Sequence, residues 1–80
     1  MSIRDAVGRR VLHYRYLRNM TQNKLGEIAR IDRGYLSDIE NGKRKITIDI
    51  LDRIAQALNI PASLLLEPEL HENPPEYSSL

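Results

Sequence analysis

The sequence predicts an all-α fold, a compact domain of five helices. Two observations carry that prediction. An apolar residue, a capping residue, three further positions and a second apolar residue recur three times, as Met20-Thr21 to Leu25, Ile31-Asp32 to Leu36 and Ile46-Thr47 to Leu51. Each is an N-cap with a hydrophobic staple between N′ and N4, which fixes where a helix begins and the angle at which the chain enters it. The alternation of β-branched and polar residues that marks strands is nearly absent, and so are long-period repeats and low-complexity runs.

The first helix is expected from about Ile3 to Arg18 behind Ser2 as cap, with Ile3, Val7, Val11, Tyr14 and Leu17 recurring along its inner side. Asn19, a residue that tolerates the left-handed conformation, ends it. The second helix covers about Gln22 to Ala29. The third runs from about Arg33 to Asn41 with Gly42 as its stop, and the fourth from Ile48 to Leu58 with Leu51, Ile54, Ala55 and Leu58 inward and Asn59 closing it. After Pro61 a short fifth helix holds Leu64, Leu65 and Leu66. From Glu67 the chain becomes EPELHENPPEYSSL, whose three prolines and few apolar residues suit a flexible tail rather than packed structure. The division expected is therefore a domain over residues 1–66 and an acidic, proline-containing tail over residues 67–80.

Eighty residues allow one small domain, too small for a large enclosed active-site cavity. There is no Cys, which removes disulfides and thiolate metal sites from consideration and fits a cytoplasmic protein. The charged opening MSIRDAVGRR and the lack of any long apolar run argue against a signal peptide or a membrane span. His13 and His71 belong to no metal-spaced cluster and Ser37 has no evident base, so neither an enzyme nor a metal or other cofactor is expected. The net charge of +1 hides an asymmetry. All 12 basic residues lie in residues 1–53 against seven acids, leaving +5, whereas residues 54–80 hold four acids and no Lys or Arg, giving −4. A basic surface for a polyanion and an acidic region kept away from it follow from that division.

Only Arg30, Ile31 and Asp32 separate the second and third helices, the spacing of a helix-turn-helix. The run TQNKLGEIARIDRGYLSDIENGKRK resembles the Cro/cI-type (Xre-like) DNA-binding domain. VGRRVLHYRYLRNMTQ before it and LDRIAQALNIPASLLL after it extend the resemblance over roughly residues 5 to 66. Within that family, DRGYLSDIE and the short chain look most like the controller proteins of restriction-modification systems, which are dimeric transcriptional regulators.

The resemblance implies roles residue by residue. Gln22 becomes a phosphate contact; Arg33, Ser37 and Asp38 become base-reading positions; and Asn41, Lys43 and Arg44 become contacts to the DNA backbone. Arg15 and Glu40 match the family's internal ion pair between the first and third helices. Two residues depart from the family pattern, Gly26 where alanine is usual and Arg30 where the turn usually has glycine. At position 30 either the turn takes another conformation or it tolerates the cost of a non-glycine residue at positive φ.

Helical geometry adds to this reading. Leu36 and Ile39 lie on one side of the third helix, and Gly34, Ser37, Asp38 and Asn41 face nearly opposite. Glycine in a helix costs about 1 kcal/mol relative to alanine. At Gly34, in the middle of the outward face, the missing side chain either permits close approach to base edges or marks a loosely wound first turn. Tyr35 either flanks the core or lays its hydroxyl on a phosphate. The run Lys43, Arg44, Lys45 is either a solvated cluster or, from its place just beyond the third helix, a phosphate-binding one.

Ile60, Leu64, Leu65 and Leu66 form more apolar surface than a short terminal helix is expected to bury, which predicts a two-fold homodimer formed there. The partners expected are double-stranded DNA, a second copy of the chain and RNA polymerase. An antitoxin or phage-type repressor whose same fold also binds a protein is the alternative.

Overall fold

The computed structural model describes residues 2–67 and is all-helical, with no strand among the described residues. Four α-helices follow one another, α1 (Ile3–Leu17), α2 (Gln22–Ala29), α3 (Arg33–Glu40) and α4 (Ile48–Leu58). The expected fifth helix is instead a single 3-10 turn over Ala62–Leu65. Pro61 brings no capping side chain, and the segment closes on short-range bonds from Leu64 N to Pro61 O and Leu66 N to Ser63 O. A four-residue piece without a cap has too few bonds to propagate an α-helix, and tight turns of this kind are used in short lengths. The tail expected from Glu67 onward, His71 included, falls outside the described residues apart from Glu67 itself.

Each α-helix starts at a side-chain cap. Ser2 and Asp5 form a reciprocal capping box, and their hydrogen bonds lower the Asp5 pKa below its usual value. Thr21 accepts from Lys24 N, Asp32 from both Gly34 N and Tyr35 N, and Thr47 from Ile50 N. The apolar partners before these caps pack as staples require, with Ile31 buried and Met20 and Ile46 leaning on the core. Asn19 and Asn59 take positive φ as expected, and Gly42 does the same beyond α3.

The α2–α3 turn keeps a left-handed residue and places Arg30 in it, at φ 59°. Gly26 makes the sharp return possible. Ile31 N donates to Gly26 O at 2.9 Å, and a methyl group on Gly26 would lie 2.7 Å from Ile31 O. The two departures from the family pattern are thus parts of one turn. Arg53, reaching from α4, donates from Nε to Ala29 O at 2.9 Å and from Nη2 to Arg30 O, so the freed carbonyls at the end of α2 are bonded.

The core is filled by Val7, Val11 and Tyr14 of α1, Leu25, Leu36, Ile39, Ile54 and Leu58, together with Ile60, Leu64 and Leu65. This corrects the expected dimer surface. Ile60, Leu64 and Leu65 are already enclosed by their own domain, because the 3-10 turn folds back onto both α4 and α1, and only Leu66 of that group is exposed, at 50%. Ile3 and Leu17 lie at the ends of the inner stripe of α1 and remain exposed. Of the exposed apolar side chains, Ile3, Ile48 and Leu66 gather around a concavity that Val7, Ile46 and Leu51 also line, whereas Tyr16, Leu17 and Ile28 lie outside it.

Candidate nucleic-acid interface

The start of α3 stands at the surface with Arg33 and Gly34 both exposed, and Asp32 caps it from below. A side chain on Gly34 would meet only the Asp32 carboxylate, at 3.0 Å, and otherwise open space. No neighbouring helix approaches this glycine; a side chain there would press only on the cap oxygen of its own helix. Ser37 and Asp38 are half-buried one turn further along α3, and Asn41 is exposed at its end with Nδ2 bonded to Ser37 O at 2.9 Å. Beyond α3 come Lys43, Arg44 and Lys45, all exposed.

Behind this surface sits a buried polar cluster. Arg15 on α1 donates from Nε to Glu40 Oε2 at 2.7 Å, from Nη2 to Glu40 Oε1 at 3.0 Å and from Nη1 to Met20 O at 3.0 Å. The two side chains are 8% and 4% exposed. The carboxylate bonds raise the Arg15 pKa above its already high value, so the guanidinium is held charged. Gln22, expected at a phosphate, donates from Nε2 to Glu40 Oε1 at 2.9 Å. One amide proton is thereby used, and the start of α2 is tied to the end of α3. A carboxylate that accepts three hydrogen bonds while bridging three helices holds the relative position of α1, α2 and α3.

A second, exposed network shapes the segment after α3. The Tyr35 hydroxyl donates to Lys45 O at 3.2 Å, and the Arg44 guanidinium lies 4.7 Å from the centre of the Tyr35 ring while bonding Asp38 Oδ2 at 3.2 Å. Tyr35 packs partly against the core. Its one hydroxyl proton is given to the chain, so the side chain props the basic segment, and donation to a phosphate would require that bond to break. Asp38 and Arg44, assigned to different roles from sequence, are paired with each other.

Sequence reasoning left out two residues of this surface. A shallow groove between α2 and α3 is lined by Asn23, Glu27, Arg30 and Arg33, which puts Asn23 and Arg30 beside the first turn of α3. The unusual arginine in the turn, exposed at positive φ, was the signal for Arg30, and Asn23 had none.

An all-helical domain that offers an exposed, glycine-opened helix start beside a basic segment, with its helices locked by a buried carboxylate, is a small helix-turn-helix protein. A helix-turn-helix family model matches residues 13–65, and the chain belongs to that family in its Cro/cI-type (Xre-like) form. The control protein C.SmaI of Serratia marcescens is 33% identical over 66 residues, covering 82% of this chain and 79% of the relative. The control protein C.BamHI of Bacillus amyloliquefaciens is 36% identical over 67 residues, covering 82% and 83%. Among solved structures, C.Esp1396I bound to a 25 base pair operator site superposes with a TM-score of 0.74 at 28% identity, covering 81% of this chain and 86% of that one. These relatives are regulators by name rather than enzymes. No helix among the described residues is long and apolar enough to cross a membrane.

Proposed function

We propose that the protein is a sequence-specific DNA-binding transcriptional regulator of the controller type, acting in the cytoplasm, with α2 and α3 as the helix-turn-helix and residues 1–66 as the DNA-binding and dimerisation domain. The observation that carries this reading is the start of α3, where exposed Arg33 stands beside a glycine that no other helix packs against. A helix entering the major groove brings its first turn nearest the base edges, and a guanidinium there donates two hydrogen bonds to O6 and N7 of guanine. In this reading Arg33, Gly34, Ser37 and Asp38 face bases, Asp38 after release from Arg44. Asn41, Lys43 and Arg44 face phosphates, with Gln22 positioned by Glu40.

Arg33→Ala is expected to cost about 1–3 kcal/mol of binding and to relax preference at one base pair per half-site, whereas Lys43→Ala weakens all sequences alike and reduces the slope of log affinity against log salt by about one. Selection of bound sequences from a random DNA pool supplies the operator. Binding isotherms on it and on its single-base variants then separate the two roles. An equal loss for Arg33→Ala on every variant would make Arg33 a phosphate contact.

One copy is too short for a site of the length that the related C.Esp1396I occupies, and two half-sites one helical turn apart, about 34 Å, suit a pair of domains of this size. The domain's longest dimension is 31 Å, whereas 25 base pairs, the site in the complex of the related C.Esp1396I, span about 85 Å at 3.4 Å per pair. The surface proposed for the two-fold contact is the open apolar rim of Ile3, Ile48 and Leu66, in place of the buried Ile60, Leu64 and Leu65. A combined Ile48→Glu and Leu66→Glu change is expected to give a folded monomer in sedimentation and to weaken operator binding by at least tenfold. Leu65→Glu, placing a charge in the core, should instead unfold the domain. An unaltered chain that sediments only as monomer at tens of micromolar would remove the dimer from the reading. Contact with RNA polymerase is the third partner proposed, and it is tested by transcription in vitro from the selected operator with purified polymerase.

A further inference from the structure

Among the described residues Asn19, Asn59, Gly42 and Arg30 stand at positive φ. Asparagine tolerates that conformation and glycine adopts it freely. Arg30, at φ 59°, does so against the crowding of its own Cβ. Its carbonyl accepts from Arg53, but that bond uses the backbone alone, and any residue at position 30 would supply the same acceptor. The hydrogen bonds of the turn therefore gain nothing from an arginine side chain. Backbone strain kept at a position where the fold does not call for that residue marks a functional site.

The side chain is exposed and lines the shallow groove between α2 and α3 together with Asn23, Glu27 and Arg33. Other arginines of this part of the surface are already engaged, Arg44 with Asp38, and Arg53 with the carbonyls of Ala29 and Arg30. The guanidinium groups of Arg30 and Arg33 make no hydrogen bond or ion pair among the described residues. Two arginines against the one carboxylate of Glu27 leave the groove cationic. Resting on the DNA-binding function proposed for this surface, we propose that Arg30 holds a phosphate of the DNA backbone, on the strand flanking the base pair that Arg33 reads. A phosphate contact carries no sequence information and fixes the register of the groups that do. Arg30 anchors the start of α3 in this way and Lys43 anchors the segment beyond its end, so the base-reading turn is held from both sides.

Arg30→Gly tests this, because glycine accepts positive φ without strain and leaves the acceptors of Arg53 in place. The full chain with this change is expected to melt no lower than the unaltered one, so that a loss of binding cannot come from unfolding. On the selected operator its affinity is expected to fall about 5–10-fold per bound copy at about 0.1 M salt, with the slope of log affinity against log salt shallower by about 0.9. The same loss is expected on every single-base variant of the operator. Arg30→Lys, which keeps the charge, is expected to keep the slope. An unchanged affinity for Arg30→Gly overturns the proposal, and so does a loss confined to one base pair, which would make Arg30 a base-reading residue. An unaltered chain whose affinity for DNA does not respond to salt overturns the DNA-binding function itself and the role of Arg30 with it.

Discussion

Glu40→Ala is expected to destabilise the domain by about 3–5 kcal/mol, the cost of breaking a buried ion pair by removing one partner. Arg15 would keep only its bond to Met20 O, and Gln22 would lose its acceptor, while the guanidinium stays buried and charged. Native domains are stable by about 5–15 kcal/mol, so one side chain carries a large share of the margin. The melting temperature should fall by more than about 12 °C in thermal unfolding followed by circular dichroism. Replacing the pair by apolar residues of similar volume, Arg15→Met with Glu40→Leu, should recover most of the loss, because the desolvation of both charges disappears together. It should not recover operator binding, since Gln22 would no longer be oriented. A loss below about 1 kcal/mol for Glu40→Ala would show that water reaches the cluster and screens Arg15.

The helix starts were legible because a cap and its staple lie within five residues of each other, so Thr21, Asp32 and Thr47 announce α2, α3 and α4 without knowledge of the rest of the fold. The ends marked by Asn19, Gly42 and Asn59 were legible for the same reason. The fate of the last apolar residues was not. Counting Ile60, Leu64 and Leu65 reveals how much must be covered but not how much cover α1 and α4 offer, which depends on how the 3-10 turn folds back. The pairing of Arg15 with Glu40, 25 residues apart, came from the family pattern. The link from Gln22 to the same carboxylate and the bond from Tyr35 to Lys45 O depend on side-chain placement across elements that no local spacing encodes. Arg30 could be read as a departure from the pattern. Its compensation by Gly26 and Arg53 required the turn itself.

The position with the largest hidden constraint is Gly8, which carries no sequence signal beyond being a glycine in the middle of a helix. Gly8→Ala is expected to destabilise the protein by more than about 2 kcal/mol, although helix propensity alone would make the change stabilising by about 1 kcal/mol. A methyl group there would collide with Ile39 O and lie 2.9 Å from Glu40 O. Both are backbone atoms in the last turn of α3, so no side chain can rotate away, and relief requires α1 and α3 to separate. Separation would open the packing of Val11 against Leu36 and Ile39 and stretch the Arg15 to Glu40 bonds that cross the same seam. Gly34→Ala is the matched control, because its methyl would meet only the end of the Asp32 side chain. That variant should lose less stability than Gly8→Ala, because its cost is limited to displacing the Asp32 cap, at most about 1 kcal/mol, against the gain in helix propensity. The sign of the difference between the two variants in urea unfolding decides the matter. If Gly8→Ala is as stable as Gly34→Ala, α3 can withdraw from α1 at no cost, and the close seam is not what sets the angle between the two helices.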